Sequence, residues 1–479
     1  MNMSKERFTG KIFNFMQSPW VMVAGVIILF LIIKVPQIDY RYGDENIYFL
    51  MGKLITEGQF PYQDFFFASP PLQLIFTALF VALFGFHVYA MKFISLLTVA
   101  GSAFFLYVIL KKNKSEVAGV CAAVLYLFSF VTLTTSDYVS GVQWVVFFTL
   151  GALILIAHEK PGWAGVAATL ALFTRFYAAP LIFVVGLYAL VSTQKTWRRF
   201  FISLCILFIG GNLLLYGALG TQYEQSVALY HLQKFEELDK QKVLDFFLRW
   251  DWLLLVVSGL SLFVVRLKQL ALPLLGLAAG GLFLYVFKDI YYLYFNLIIP
   301  FLALLGGMFL ANIFHLYPFS LVLKKGIPLM VLFLIIYIGY GTWHYMRDHA
   351  GAARIDYLEE LVQYVREHSD PKDSLYGSFE ITPLVAGLSG RAIAGNFIDT
   401  NNKTFSTGMV ALDEREQALL KEKARYIFTK VLVDGQGNLL ELGRFISLDF
   451  LQRHCAIVKS FPIQKDYYSN FLLVWECRY

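Results

Sequence analysis

The sequence predicts an α-helical, multi-pass membrane protein of about 11–13 transmembrane helices with a soluble α/β domain at its C-terminus. Three observations predict it. Of 479 residues, 58% are hydrophobic, 17% aromatic and 15% charged, with a mean hydropathy of +0.60, whereas a soluble globular chain carries roughly 25% charged residues. Long apolar runs recur through the first 345 residues. From residue 350 onward charges become frequent, and no run there reaches the roughly 20 apolar residues that a helical span takes. Disordered, collagen-like, coiled-coil and disulfide-scaffold classes fail on composition, and a water-soluble enzyme with one large core fails on the recurring runs. The formal net charge of +6 calls for no nucleic acid, because Lys and Arg sit mostly in short loops, where they set topology and meet anionic headgroups.

The chain opens with Lys5, Arg7 and Lys11 before an apolar run from Trp20 to Val35. No A-x-A-like cleavage site follows, so this run is expected to be an uncleaved first helix with a cytoplasmic N-terminus. A polar, aromatic loop covers 37–70. Further apolar runs fall at 71–87, 91–110, 117–134, 141–157, 163–174, 177–191, 199–219, 251–265, 269–287, 291–313 and 327–343. Lys111, Lys112 and Lys114, then Lys195, Arg198 and Arg199, then Arg266 with Lys268, and Lys324 with Lys325, are all assigned to the cytoplasmic face. The loops at 37–70, 135–140 and 220–250, the turn at Lys288 and the domain at 350–479 then share the outer face. The expected division is a membrane domain over 1–345 and an extracytoplasmic domain over 350–479. Parity is broken once: two runs precede Lys111 where an odd number of crossings is needed. An incomplete crossing at 71–87, a short run opening on Pro70 and Pro71, is the favoured resolution.

In the C-terminal region Ile355, Leu358, Leu361, Val362 and Val365 follow helical spacing, while 426–433 and 471–475 read as strands. Cys121 and Cys205 lie in apolar runs as small core residues. Cys455 and Cys477 can pair if the region is exported.

The first outer loop carries the most chemistry. Asp44 and Glu45 stand just beyond a membrane helix, and Ile47, Leu50, Met51, Leu54 and Ile55 continue at helical spacing. This describes a short surface helix with two acids at its start. Such acids can serve as base, cation ligand or acceptor of a sugar hydroxyl; alternatively, Asp44 is a plain N-cap. A passage Gly58-Gln-Phe-Pro61-Tyr62-Gln-Asp64-Phe, then Pro70-Pro71-Leu72, follows. Further on come Lys111-Lys112, an apolar helix and Asp137; then Thr174-Arg175-Phe176-Tyr177 with Pro180; then Tyr291 to Pro300.

Together these passages resemble the GT-C superfamily, the polyprenyl-phosphate-sugar-dependent glycosyltransferases that include protein O-mannosyltransferases and the lipid A aminoarabinose transferase. The resemblance implies a lipid-linked sugar donor, a hydroxyl-bearing acceptor (lipid, glycan or protein), catalysis on the extracytoplasmic face and residence in the plasma (inner) membrane. It implies a catalytic role for Asp44, with Glu45 as its neighbour. A carboxylate base suits a hydroxyl nucleophile, and an anionic polyprenyl phosphate needs positive charge near its oxygens rather than a general acid. Arg175 is the first candidate for that charge. The run Trp163–Thr174 covers about 18 Å of a hydrocarbon core about 30 Å thick, so Arg175 is expected below the outer surface, lining a polar cavity or snorkelling to the headgroups. Arg175 and Asp44 are expected to flank one pocket.

Lys288 is the second candidate, against a local salt bridge with Asp289. Asp137 matches the second acidic loop; with one acid there, an obligatory divalent metal is not favoured and no cofactor is required. A solvated turn is its bland alternative. Asp64, Tyr62 and His231 are candidates for substrate contact, although an interfacial amphipathic helix explains the loop around His231 as well, and an aromatic belt explains most of the Tyr and Phe enrichment. Glycine-rich phosphate loops, paired metal-ligand cysteines and a serine nucleophile elbow are absent from the sequence, which speaks against nucleotide-sugar chemistry and ATP-driven pumping. A transporter or flippase is the rival class, but the acids cluster at outer helix ends and no half-repeat is visible. An enzyme that ligates whole glycans is a second rival.

Overall fold

Apolar runs become helices, and their ends fall where capping chemistry changes. In the computed structural model the described residues are 18–112, 115–192, 194–234, 239–316, 327–349, 354–408, 411–433, 439–442, 445–463 and 469–479. Lys5, Arg7, Lys11, Lys114, Lys324 and Lys325, on which the expected orientation leans, lie outside them.

Among the described residues five helices are long and apolar enough to cross a membrane: 19–37, Val88–Lys112, Lys195–Leu219, Leu267–Val286 and Pro328–Asp348. Lys240–Trp250 and Trp252–Val264 form a sixth only as a pair bent by 80°. Six further apolar helices are shorter, among them Leu72–Phe84, Glu116–Leu127, Val142–Ala157 and Pro161–Thr174. The expected 11–13 are therefore met as apolar helical segments, about half of them too short to span alone. Leu72–Phe84, at 13 residues, covers about 20 Å against a core of about 30 Å.

Internal contacts divide the chain into two compact units. One takes Met1–Gln37, Phe93–Gly211 and Glu236–Ala350; the other takes Ile38–Lys92, Asn212–Phe235 and Gly351–Tyr479. The first is a helical bundle. Its most extensive seam joins Glu116–Leu127 to Ile299–Leu316, where a Cβ on Gly307 would stand 2.5 Å from the Ala118 carbonyl oxygen. Such close approach of backbones is how helices associate without a hydrophobic driving force between them.

The run expected over 117–134 is broken in this unit. The helix Glu116–Leu127 stops, and Phe130–Thr135 restarts behind Ser129, whose side chain accepts from the Thr132 amide. Both oxygens of Asp251 accept from the Phe130 and Val131 amides, at 2.8 and 3.0 Å. A restarted helix exposes new amides, and a carboxylate from far along the chain satisfies them.

The second unit is α/β. Its strands are β1 (Ser374–Gly377), β2 (Ala392–Ile393), β3 (Tyr426–Val433), β4 (Leu439–Leu442), β5 (Cys455–Pro462) and β6 (Phe471–Cys477). They lie in the order β2-β1-β3-β6-β5, with β4 also on β3. Both partners of β1 are parallel to it; the remaining pairs are antiparallel. β3 is central, and its first four residues are buried, as its Tyr-Ile-Phe-Thr sequence requires. The helix Leu358–His368 buries Leu358, Leu361, Val362 and Val365. Cys455 and Cys477 face each other on β5 and β6 and are joined as a disulfide. The same unit holds the helices Glu45–Thr56 and Leu72–Phe84, packed so closely that a Cβ on Gly52 would lie 2.6 Å from Thr77.

Candidate functional site

Asp44 stands at the N-cap of the helix Glu45–Thr56, yet its side chain makes no capping hydrogen bond. The simple N-cap role is therefore not what occupies the carboxylate. Asp44 keeps exposed surface, although protein encloses its carboxyl closely enough to desolvate it.

Glu45, its sequence neighbour, turns the other way. It is fully buried in an ion pair with Lys92. Asn46 fixes the turn by donating through Nδ2 to the carbonyls of Arg41, at 2.8 Å, and of Glu380, at 2.5 Å. The Gly43 amide reaches the same Glu380 carbonyl at 3.5 Å. The loop after β1 is thereby tied to the start of the first-loop helix. It leaves β1 at Gly377, whose φ of 144° and backbone contact with Phe428, 2.2 Å from where a Cβ would be, only glycine tolerates.

Enclosure by protein pushes the Asp44 carboxyl up to about 6. Negative charge on Asp399 and Glu380 pushes the same way, and Lys403 and Lys234 pull it back. Asp399 is likewise raised, by burial first. Lys403 is buried. Lys234 lies 4.9 Å over the Tyr230 ring, and burial first, then Asp399, lifts the Tyr230 phenol well above its ordinary value. A carboxyl that ionises near 6 is matched to taking a proton at neutral pH.

The other first-loop candidates are engaged in the loop itself. Tyr62 donates its hydroxyl to the Ser69 carbonyl at 2.5 Å and packs edge-on to Tyr223. Asp64 accepts from the Phe60 amide at 2.6 Å, a local turn that shapes 60–64. His231 Nε2 lies 2.5 Å from the Ala68 carbonyl oxygen. The passage 58–70 is thus held in one shape by its own polar groups and by the 221–233 segment.

Asp137 and Arg175 come together in the helical unit. Asp137 is fully buried, with Oδ1 2.9 Å from Lys34 Nζ. Lys34 also donates to the Leu133 carbonyl and the Tyr345 hydroxyl, both at 2.7 Å. Arg175, half-buried and extended between Pro161–Thr174 and the turn at 176–178, donates through Nε to the Ser140 carbonyl at 3.1 Å. It therefore meets the loop that contains Asp137. An apolar groove of about 340 Å³, lined by Leu172, Phe176, Phe183, Leu187 and Phe208 among others, runs along the helices on either side of Arg175. Lys288 is exposed in the turn after Leu267–Val286 and, among the described residues, makes no ion pair with Asp289.

A divalent metal does not fit the donor set of the second loop, because Asp137 is already neutralised by Lys34. Among the described residues no three His, Cys, Asp or Glu side chains are grouped to hold a metal ion. Sequence reasoning missed Lys34, Asp251, Glu380, Asp399 and Lys403. Lys34 and Asp251 carried a signal, a charge at the very end of an apolar run. Asp399 and Lys403 carried none.

Residues 68–214 match the dolichyl-phosphate-mannose-protein mannosyltransferase family. No curated protein sequence matches the chain. Its fold is similar to that of ArnT from Cupriavidus metallidurans, solved with bound undecaprenyl phosphate, with a TM-score of 0.69, 12% identity, and 96% of this chain and 98% of that one covered. It is similar to the Archaeoglobus fulgidus oligosaccharyltransferase, with a TM-score of 0.55, 10% identity and coverages of 86% and 69%. It is also similar to the arabinofuranosyltransferase AftD from Mycobacteria, with a TM-score of 0.55, 14% identity, 97% of this chain and 40% of that one. With its apolar helices and these likenesses, the chain is an integral membrane protein whose fold is similar to that of ArnT, the archaeal oligosaccharyltransferase and AftD.

Proposed function

We propose that the protein transfers a sugar from a polyprenyl-phosphate donor to a hydroxyl-bearing acceptor on the extracytoplasmic face, with Asp44 as general base. The acceptor oxygen attacks the anomeric carbon while Asp44 takes its proton. The bond from that carbon to the phosphate oxygen breaks, and its electron pair leaves with the phosphate. One displacement inverts the anomeric centre. The observation that carries this reading is the state of Asp44: accessible, enclosed, unused as a cap, and ionising near neutrality.

Arg175 supplies the fork-shaped donor that suits a phosphate leaving group, and the groove beside it receives part of the prenyl chain. The undecaprenyl phosphate bound by ArnT supports a donor of that class. The disulfide Cys455–Cys477 supports an oxidising compartment for the C-terminal region, and so the outer face. Labelled polyprenyl-phosphate sugar, offered to membranes carrying either the wild type or Asp44→Asn, tests the reading. Sugar transfer is expected from the wild type alone, and equal transfer by both removes Asp44 from the mechanism.

A further inference from the structure

The carboxylate of Asp44 does not cap its own helix. The usual bond that ties an N-cap side chain to the first turn is therefore missing, and the turn is held by other means. That turn is Gly43–Asn46, closed where the Asn46 amide donates to the Gly43 carbonyl at 3.2 Å. Asp44 and Glu45 are its middle residues. Glu45 is fully buried against Lys92, whereas Asp44 keeps exposed surface.

The side chain of Asn46 holds the turn from beneath. It is 1% exposed, and its Nδ2 reaches two carbonyls from separate segments, those of Arg41 at 2.8 Å and Glu380 at 2.5 Å. Both partners are acceptors only, so the nitrogen of the amide has to face them. Each partner is itself fixed by the surrounding chain. Arg41 forms an antiparallel bridge with Arg354, and the Ile355 amide donates to the Tyr40 carbonyl at 3.0 Å. Glu380 lies between β1 and the helix Thr382–Ser389. There the Ser378 amide donates to the Phe428 carbonyl of β3 at 2.8 Å, and the Glu380 carboxylate pairs with Lys430, also of β3, at 2.5 Å. A continuous set of bonds thus runs from the central strand through Glu380 and Asn46 to the turn of Asp44.

We infer that Asn46 is a positioning residue for Asp44: it fixes the turn 43–46 against the loop after β1 and so aims the carboxylate. The inference rests on the general-base reading above. A base has to meet the hydroxyl proton at hydrogen-bond distance, and a displacement of about 1 Å can cost on the order of 10²-fold in rate. The amide of Asn46 carries two hydrogens, and both have a carbonyl to serve. Serine keeps one donor and alanine none. An asparagine that only completes the core would support stability and leave the rate of each folded molecule alone.

The test is a double-mutant cycle on the full chain in lipid nanodiscs. For each variant, kcat and both KM values for transfer from labelled polyprenyl-phosphate sugar are measured beside the melting temperature. Asn46→Ala is expected to lower kcat by about 10–100-fold, with the KM values for donor and acceptor unchanged. In the Asp44→Asn background the same substitution is expected to leave the residual kcat unchanged, because no base remains to be aimed. Asn46→Ser is expected to fall between the wild type and Asn46→Ala, and it carries the test if Asn46→Ala does not fold. A folded Asn46 variant that melts lower but keeps its kcat overturns the inference, and so does an equal loss of kcat in both backgrounds. Full transfer by Asp44→Asn overturns the general-base reading instead.

Discussion

Asp44 and Asp137 each follow an apolar helix closely, and they end in opposite states. Asp44 sits at the mouth of a helix it does not cap, exposed but enclosed, among two acids and two lysines that leave its carboxyl ionising near 6. Asp137 is sealed, with no exposure, against a lysine that has no exposure either. The difference teaches that a loop acid's chemistry is set by the partner the fold delivers. A dedicated cation at 2.9 Å turns a carboxylate into a fastener. Shared cations beside a second acid leave it able to exchange protons.

The largest expected effect breaks the comparison on the Asp44 side. Asp44→Asn is expected to lower sugar transfer by roughly 10²–10⁴-fold, the usual worth of a positioned base, with the protein still folded. Asp137→Asn at a comparable loss of rate, without loss of stability, would place the two acids in one class after all. The next effect is on stability. Lys34→Met removes the cation 2.9 Å from the buried Asp137 carboxylate and is expected to cost about 3–5 kcal/mol, read from melting in detergent. Adding Asp137→Leu is expected to recover most of it, because an apolar pair of similar volume replaces a buried ion pair well.

A smaller effect concerns Arg175, which touches the loop of Asp137 through Ser140. Arg175→Lys keeps the charge and loses the fork, and is expected to raise the apparent KM for the lipid donor about tenfold with acceptor KM unchanged. Equal changes in both would assign Arg175 to holding the loop.

Much of the fold was legible in the sequence. The apolar runs predicted helices to within a few residues, since burial in lipid demands long apolar stretches whatever their neighbours. The strand 426–433 was read to the residue because β-branched and aromatic residues cluster there. The break at 128–129 was not legible: it depends on Asp251, a cap contributed from more than a hundred positions away. The short strands β1 and β2 lack any periodicity long enough to read. Within the site, Asp44 stood out by its place beyond a membrane helix. Its companions did not, because Glu45 is adjacent in sequence yet committed to Lys92, while Asp399 and Lys403 arrive through tertiary structure alone.

The smallest expected effect concerns stability against pH, and it too separates the two acids. A carboxyl raised to about 6 in the folded protein, against about 3.9 unfolded, binds its proton more tightly when folded. Its stabilising contribution is fully present below the unfolded value and is lost as pH rises through about 6. At pH 7 Asp44 is therefore a net cost to stability. Asp44→Asn is expected to melt slightly higher than the wild type at pH 7, and the advantage is expected to vanish by pH 4. Because the side chain keeps exposed surface, solvent screens part of the cost and the gain is small. Asp137→Asn is expected to do the reverse at pH 7, melting lower, since it strips Lys34 of its counterion. A lower melting point for Asp44→Asn at pH 7 would mean that Asp44, like Asp137, is held for structure.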